Sequence, residues 1–223
     1  MSLKEKYMKN FSMHEKYFKN WPENSCPYVQ DLLFAEKIAK QYIDKIIGVN
    51  SAKKKCVIFD FDDCLIFGDP SYAVGVSEMK LGHKNGDEIF ILPRNEPIVR
   101  IAEYAKSKGL LVFIITARPK ESREATLRNC KEFKIPHDGL VMNEGEKDPC
   151  FKIHVRRKLL ENYEIVLTVG DQITDCLCPG KSAFIKLPDP GEEQEVTDEE
   201  TGEEFVIFKG ESYETYAWIP STF

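Results

Sequence analysis

The stretch KKCVIFDFDDCLIF places acidic residues directly behind an apolar run. The run from Cys56 to Phe59 is followed by Asp60, Asp62 and Asp63. A short continuous apolar run is typical of a buried strand. Carboxylates at the end of a buried strand are unfavourable unless a positive group offsets their charge. These residues therefore indicate a site with its own chemistry at the end of this strand.

Polar residues also follow two later apolar runs. Thr116 and Arg118 come after LLVFII, and Asp171 and Asp175 come after IVLTVG. In a doubly wound sheet, ligands bind outside the carboxyl ends of the strands. Each residue alone has an ordinary explanation, because Asp and Gly are common in turns and Thr often caps a helix. Their joint placement predicts one site at this edge.

Several carboxylates in one place repel one another, so a hard divalent cation is expected among them. The ligands would all be oxygen atoms and no His follows an apolar run, which favours Mg²⁺ over zinc. Mg²⁺ beside a carboxylate suits phosphoryl transfer, in which an Asp attacks phosphorus. A second acid then protonates the leaving oxygen and later activates a water molecule. Because side chains two residues apart in an extended chain point to the same side, Asp60 and Asp62 are both expected to contact the substrate.

Beyond Lys55, short apolar runs alternate with helical patterns. This alternation predicts an α/β fold with a doubly wound parallel sheet and helices on both faces. Helices are expected at about 29–47, 96–108, 120–131 and 153–161. Strands are expected at CVIF (56–59), LLVFIIT (110–116), GLVM (139–142), IVLTV (165–169) and AFIKL (183–187).

Two segments depart from this alternation and predict β-hairpins. The piece LGHKNGDEIFILP has Asn85-Gly86 at its centre, a strong hairpin turn signal, and predicts a small β flap. The piece PDPGEEQEVTDEETGEEFVIF has an acidic run around Thr201-Gly202. A solvated hairpin is favoured there over an acidic interaction tail.

The chain is predicted to be a single domain, with an N-terminal helical extension at 1–50 that packs on a core domain at 51–223. The helix near 29–47 is amphipathic, and the residues from Gly48 to Asn50 supply its stop. The segment before it is aromatic and is interpreted as a cover for the core rather than a partner surface. Its aromatic residues are Tyr7, Phe11, Tyr17, Phe18 and Trp21.

The composition predicts an ordinary, mildly acidic protein. The formal net charge is -6 at 30% charged residues, so an obligate nucleic-acid partner is not expected. No stretch reaches the length of a membrane span and the start lacks the apolar core of a signal peptide, so no membrane association and a cytoplasmic location are expected. The seven scattered cysteines fit a disulfide framework badly, and Cys176-Leu-Cys178 is interpreted as buried or loop thiols rather than a zinc site.

The motifs resemble those of the haloacid dehalogenase-like (HAD) hydrolases, in the same order and on the expected elements. The apolar run ending in Asp60-Phe-Asp62 resembles motif I, and IITAR with Thr116 resembles motif II. The piece VGDQITD, with Asp171 and Asp175, resembles motif IV in its GDxxxD form.

The lysine of motif III matches Lys152 in FKIHVRRKLLENYEIVLTVGDQ. Its distance to GDQ and the basic helix after it resemble the acid phosphatase branch, which includes class B bacterial and plant acid phosphatases (subfamily III). The resemblance covers about residues 55–187 and implies a Rossmann-like fold.

The resemblance also implies roles for the first two motifs. Asp60 would be the nucleophile and a Mg²⁺ ligand. Asp62 would be the general acid and base and would give its backbone carbonyl to the metal. Thr116 would hold a phosphoryl oxygen. Arg118 would reach the substrate, with capping or surface pairing as an equal alternative.

In the remaining motifs, Lys152 would hold the phosphoryl group and offset the charge of the nucleophile, while Asp171 and Asp175 would complete or orient the Mg²⁺ shell. Lys147 and Lys158 are rivals for the lysine role, but the spacing favours Lys152. Cys64 departs from the usual Thr or Val of the family and is interpreted as a packing residue.

The gaps between the motifs leave no room for a large cap domain, which implies an open site. Such a site accepts a phosphomonoester that is a small molecule, a nucleotide, a phosphoprotein or a nucleic-acid end. The natural substrate and the oligomeric state stay open.

Two alternatives to a phosphatase of this branch are kept. One is a non-catalytic storage or binding protein on the same scaffold, against which the presence of all the motif residues counts. The other resembles the phosphatases of the RNA polymerase tail, against which Cys64 and the GDQ motif count.

Overall fold

The computed structural model describes residues 27–66, 80–84, 87–91, 94–144, 150–177, 182–188, 194–197, 204–207 and 216–218. Its helices are α1 (Pro27–Ile46), α2 (Glu96–Ser107), α3 (Arg123–Glu132), α4 (Phe151–Leu160) and α5 (Ile173–Cys176), with a 3₁₀ turn at Lys120–Ser122. Its strands are β1 (Lys54–Phe59), β2 (Lys80–Lys84), β3 (Asp87–Ile91), β4 (Leu111–Pro119), β5 (Gly139–Asn143), β6 (Tyr163–Gly170), β7 (Ala183–Lys186), β8 (Gln194–Thr197), β9 (Glu204–Ile207) and β10 (Tyr216–Trp218).

The central sheet has the strand order β10-β7-β6-β1-β4-β5. β1 pairs in parallel with β4 on one side and β6 on the other, and β5 and β7 continue the parallel sheet outward. β10 joins the β7 edge in the antiparallel direction. The chain therefore runs outward from β1 in both directions, and the carboxyl end of β1 lies at the switch point where ligands bind in sheets of this kind.

The alternation of side chains along β1 divides the core between the two faces of the sheet. Val57 and Phe59 belong to the larger apolar cluster, which also contains buried residues of α1 and α2. Cys56 and Ile58 face the other way and share a cluster with residues of α4. β1 is fully enclosed at its carboxyl end, so the acidic residues that follow begin inside the protein.

Helix α1 packs on α2 through residues that recur at helical spacing. Leu32, Ala35, Ala39, Tyr42 and Ile46 are all buried. Across this contact, Glu36 accepts hydrogen bonds from Arg100, and it accepts another from Lys40 of its own helix. The aromatic residues expected to cover the core lie outside the described residues, and the division of the chain at residue 50 stays a prediction.

The predicted α/β fold is confirmed, with five parallel strands at the expected places and helices on both faces. α4 begins at Phe151, two residues before the expected start, which puts Lys152 in its first turn. β2 pairs with β3 and β8 with β9, both antiparallel, as expected for hairpins. The predicted turns at Asn85-Gly86 and Thr201-Gly202 lie outside the described residues.

The sequence did not predict β10, the short helix α5 or the extension of β4 to Pro119. None of the helices in the described ranges is long and apolar enough to cross a membrane. The cytoplasmic location stays a prediction.

Candidate active site

Three buried carboxylates converge at the carboxyl edge of the sheet. One oxygen atom each of Asp60, Asp171 and Asp175 lies within 4.8 Å of the others. Asp60 follows β1 and Asp171 follows β6, and these strands are neighbours in the sheet. The Asp60 amide donates to the Val169 carbonyl at 3.0 Å, which extends the pairing of the two strands beyond the end of β1. The predicted convergence of these three residues is present in the structure.

Asp175 reaches the cluster because the chain turns tightly after β6. Its carboxylate oxygen Oδ2 accepts from the Gln172 amide at 3.0 Å, and its own amide donates to the Gln172 carbonyl. A Cβ atom built on Gly170 would lie 2.2 Å from the Cβ of Asp175. A side chain at position 170 would therefore push Asp175 away, and glycine is required for the close approach.

Lys152 lies between the carboxylates of two different elements. Its Nζ is 2.7 Å from Asp60 Oδ1 and 2.5 Å from Asp175 Oδ1, and the residue is 7% exposed. Of its two rivals, Lys158 is exposed on α4, and Lys147 lies outside the described residues. The structure therefore brings Lys152 to the acidic cluster, as the spacing predicted.

Burial dominates the electrostatics of this cluster. It raises the pKa of Asp60 well above the ordinary value, and Asp175 and Asp171 raise it further against the opposing effect of Lys152. Burial alone would lower the pKa of Lys152, but Asp175, Asp60 and Asp171 outweigh it and the pKa is raised. Lys152 is therefore the protonated partner of the three acids.

The cluster fits a divalent cation of the magnesium type. With all three carboxylates ionised, as ligation of a metal requires, the three acids and one lysine would carry an excess of two negative charges, which one divalent cation would balance. The ligand atoms are carboxylate oxygens, without His or Cys in the cluster. Burial and then the charge of Asp60 raise the pKa of the Cys64 thiol well above its ordinary value, so this residue is a neutral packing group.

Asp62 lies apart from the three carboxylates. The chain turns after Asp60, with the amides of Leu65 and Ile66 donating to the Phe61 carbonyl. The Asp62 carboxylate accepts from Arg118 Nε at 2.6 Å and Nη2 at 2.5 Å. The expectation that Asp60 and Asp62 face the same way assumed an extended chain, which the structure does not show at this point.

Thr116 and Arg118 end the neighbouring strand β4. Thr116 is buried, and its hydroxyl oxygen accepts from the Arg118 amide at 3.2 Å. The Arg118 guanidinium lies 4.6 Å from the centre of the Phe61 ring and also donates to Thr126. Arg118 thus pairs with another side chain in the structure, and its contact with a substrate stays a prediction.

The family of the chain is decided by a match over most of its length. Residues 10–193 match the model of the HAD superfamily, subfamily IIIB (Acid phosphatase). The chain belongs to this family. The predicted relationship is thus confirmed, and the protein is a phosphoric monoester hydrolase of the HAD type.

A solved structure of an acid phosphatase shares the fold. The class C acid phosphatase from Bacillus anthracis is 17% identical, with a TM-score of 0.52 over 73% of this chain and 69% of that one. The tungstate-bound structure of the class C acid phosphatase from Bacillus anthracis is also 17% identical, with a TM-score of 0.48 over 78% and 71% of the two chains. No curated protein sequence matches this HAD chain.

Sequence reasoning missed two residues that build this HAD site. In the sequence, Gly170 is typical of an ordinary turn residue, but in the structure Asp175 leaves no space for a side chain there. Arg156 belongs to a basic helix, and this pattern predicts a solvated side chain, but it is 1% exposed and contacts α5. The available signal was its position four residues after Lys152, which puts both residues on one face of a helix.

Proposed function

We propose that the protein hydrolyses phosphomonoesters in a Mg²⁺-dependent reaction that passes through an aspartyl-phosphate on Asp60. The observation that carries this proposal is the position of the buried Lys152, whose ammonium group pairs with both Asp60 and Asp175. The lysine offsets charge next to the carboxylate that would attack phosphorus. Family membership supports the reaction class, and the buried acids support the need for a metal.

The carboxylates of Asp60, Asp171 and Asp175 would hold Mg²⁺, with the backbone carbonyl of Asp62 as a further ligand. When bound, Mg²⁺ would offset the negative charge of the carboxylates and of the phosphoryl group, which allows one anion to approach another. The Gln172 side chain donates to Asp171 at 3.1 Å and its amide donates to Asp175. Gln172 thus orients two of the proposed ligands.

In the first step, an oxygen of Asp60 attacks phosphorus and the bond from phosphorus to the leaving oxygen breaks. A proton from the Asp62 carboxyl passes to the leaving oxygen, so that the alcohol departs neutral. Lys152 and the Thr116 hydroxyl would donate to the phosphoryl oxygens as negative charge shifts onto them. Both groups are buried, so water does not compete strongly for them.

In the second step, a water molecule attacks phosphorus and Asp62, now ionised, accepts its proton. The bond from Asp60 to phosphorus breaks, which releases inorganic phosphate and restores the Asp60 carboxylate. Arg118 donates hydrogen bonds to both oxygens of the Asp62 carboxyl group, through Nε and Nη2, which fixes the orientation of this side chain. We assign to Arg118 the orientation of Asp62 rather than a direct contact with phosphate.

The Asp62 side chain is 37% exposed, in contrast to the enclosed cluster. It would therefore meet the leaving group on the more exposed side of the described site. This favours a substrate set that includes nucleotides and phosphopeptides as well as small esters. The natural substrate is to be sought by screening these classes.

The test is hydrolysis of a chromogenic aryl phosphate by the wild type and by Asp60→Asn, with Mg²⁺ and with EDTA, across pH. We expect hydrolysis to require Mg²⁺ and to fall about a thousandfold or more in Asp60→Asn, because the nucleophile is lost. Acid quenching during turnover should leave one phosphoryl group on the peptide that contains Asp60, detected by mass spectrometry.

The matched control is Asp63→Asn, the same change three residues further on. Asp63 has a positive φ of 55°, a conformation that Asn adopts as well as Asp, so this variant should fold and keep its activity. Hydrolysis in EDTA at the rate seen with Mg²⁺, or undiminished hydrolysis by Asp60→Asn, would overturn the mechanism. A complete lack of hydrolysis at any pH would favour the non-catalytic binding protein.

A further inference from the structure

Arg156 is a charged side chain enclosed in the protein interior. The residue is 1% exposed and lies on α4, the helix that also carries Lys152. Arginine is rarely enclosed to this extent unless its donors are satisfied. The hydrogen bonds of Arg156 therefore indicate which part of the structure it stabilises.

The guanidinium donates to backbone carbonyls at the end of α5. Nε donates to the Leu177 carbonyl at 2.8 Å, and Nη2 donates to the Thr174 carbonyl. A third carbonyl of this turn, that of Cys176, accepts from the Thr168 hydroxyl of β6 at 3.2 Å. Carbonyls at the end of a helix have no partner within the helix, and a cation placed there stabilises them.

This short helix needs outside support. α5 has four residues, and a single turn is not stable by itself because helix nucleation is unfavourable. It nevertheless carries Asp175, whose carboxylate must lie within the acidic cluster. The carbonyl held by Arg156 belongs to Thr174, the residue directly before Asp175. A shift of this carbonyl would move the carboxylate with it.

Lys152 and Arg156 are four residues apart and share one face of α4. Lys152 contacts Asp60 and Asp175 directly, while Arg156 fixes the backbone that carries Asp175. One helix face thus sets the distance between the proposed nucleophile after β1 and the proposed metal ligands after β6. Neither contact requires a ligand to be present.

We propose that Arg156 is a positioning residue that holds Asp175 in place and thereby sets the Mg²⁺ affinity of the site. The inference rests on the proposed function, in which Asp175 is a ligand of Mg²⁺. Replacing a residue that orients a metal ligand commonly lowers the metal affinity by about 10- to 100-fold. Arg156 acts through Asp175 and does not touch the substrate.

The variants are Arg156→Lys, which keeps the charge but not the forked pair of donors, and Arg156→Met, which removes both. Lys158→Met is the control, because it removes a cation from an exposed position of the same helix. Mg²⁺ binding is measured by isothermal titration calorimetry in the absence of substrate. We expect dissociation constants about 10- to 100-fold higher for both Arg156 variants and unchanged for Lys158→Met.

Hydrogen exchange of the metal-free protein provides a second readout that does not involve activity. In Arg156→Lys, the amides at the end of α5 should exchange faster, while those of β1 stay protected. A role limited to overall stability would instead raise exchange throughout the sheet. Kinetics should show a higher Mg²⁺ requirement, with the KM for aryl phosphate nearly unchanged and kcat recovered at high Mg²⁺.

The outcomes separate this inference from the proposed function. If the wild type binds Mg²⁺ and hydrolyses the ester while Arg156→Lys folds and binds Mg²⁺ with wild-type affinity, the role of Arg156 is overturned and the mechanism stands. If the wild type hydrolyses the ester without binding Mg²⁺, both fail. If Arg156→Met does not fold, Arg156→Lys decides, since it retains the charge and one donor.

Discussion

Two groups of charged side chains in this protein are built in opposite ways. The acidic cluster consists of Asp60, Asp171 and Asp175 around Lys152, all nearly excluded from water. The second group, which we call the α1–α2 clamp, consists of Glu36 between Arg100 and Lys40. The cluster has three acidic side chains and one basic side chain, whereas the clamp has one acidic side chain paired with two basic ones.

The surroundings of the two groups have opposite effects on their carboxyl groups. In the clamp, burial acts to raise the pKa of Glu36, but the hydrogen bonds from Arg100 and Lys40 outweigh it and lower the pKa. In the cluster, burial and like charges raise the pKa of Asp60 despite Lys152. The clamp therefore stabilises the fold as it stands, whereas the cluster is unfavourable until a cation joins it.

The largest effect is expected for Lys152→Met, which removes the cation of the acidic cluster. Removing one partner of a buried ion pair costs roughly 3–5 kcal/mol of the free energy of unfolding, because a charge stays buried without compensation. The loss should appear in urea unfolding of the metal-free protein at pH 7. Aryl phosphate hydrolysis should fall about 100-fold or more, since the phosphoryl group loses a charged donor.

Lys40→Met removes a lysine from the α1–α2 clamp and serves as the comparison. The Lys40 side chain is 31% exposed and Arg100 remains on Glu36, so the cost should be about 0.5 kcal/mol with no change in hydrolysis. Equal losses of stability in Lys152→Met and Lys40→Met would show that burial and charge imbalance do not distinguish the two groups.

A smaller effect is expected for Gly170→Ala, which presses on the acidic cluster without changing any charge. The added Cβ would lie 2.2 Å from the Cβ of Asp175, so the turn after β6 must shift. We expect a loss of about 1–3 kcal/mol in the free energy of unfolding. Mg²⁺ binding, measured by calorimetry, should weaken as well.

Gly48→Ala is the control for this change, because a Cβ atom at Gly48 meets no atom within 4 Å. Its stability and Mg²⁺ binding should equal those of the wild type. Wild-type Mg²⁺ affinity in Gly170→Ala would show that Asp175 does not need its observed position to bind the metal.

A small, pH-dependent effect is expected for Glu36→Gln in the clamp. At pH 7 it should lower the free energy of unfolding by about 1 kcal/mol, because the pair is partly open to water. Since the folded-state pKa of Glu36 is lowered, its stabilisation is present above the ordinary value of 4.5 and is lost as the pH falls through the lowered pKa. Urea unfolding at several pH values should show the wild type and the variant converging in acid. A constant difference at all pH values would contradict the assigned charge effect.

Much of the sheet and part of the site follow from local sequence patterns. Apolar runs predicted the five parallel strands, and the residues at their ends predicted the meeting of Asp60, Asp171 and Asp175. These features depend only on the direction of the strands, because the carboxyl ends of parallel strands meet at one edge of the sheet. Lys152 was found through its spacing to the fourth motif.

The remaining features depend on contacts between distant parts of the chain. The pairing of Asp62 with Arg118 joins residues 56 positions apart, which no local pattern reports. Arg156 looks like a solvated residue in the run HVRRK, and only the position of α5 makes it a buried one. β10 is three residues long, too short for a periodicity signal.

β10 also has a consequence for how the protein is made. β10 is the last of the described strands along the chain, so among these strands β7 gains its second neighbour only when Tyr216–Trp218 has left the ribosome. Until then the backbone donors and acceptors along the open edge of β7 are available to other nascent chains. Shortened versions that end before Tyr216 are therefore expected to aggregate on expression, even though every residue of the acidic cluster is present in them.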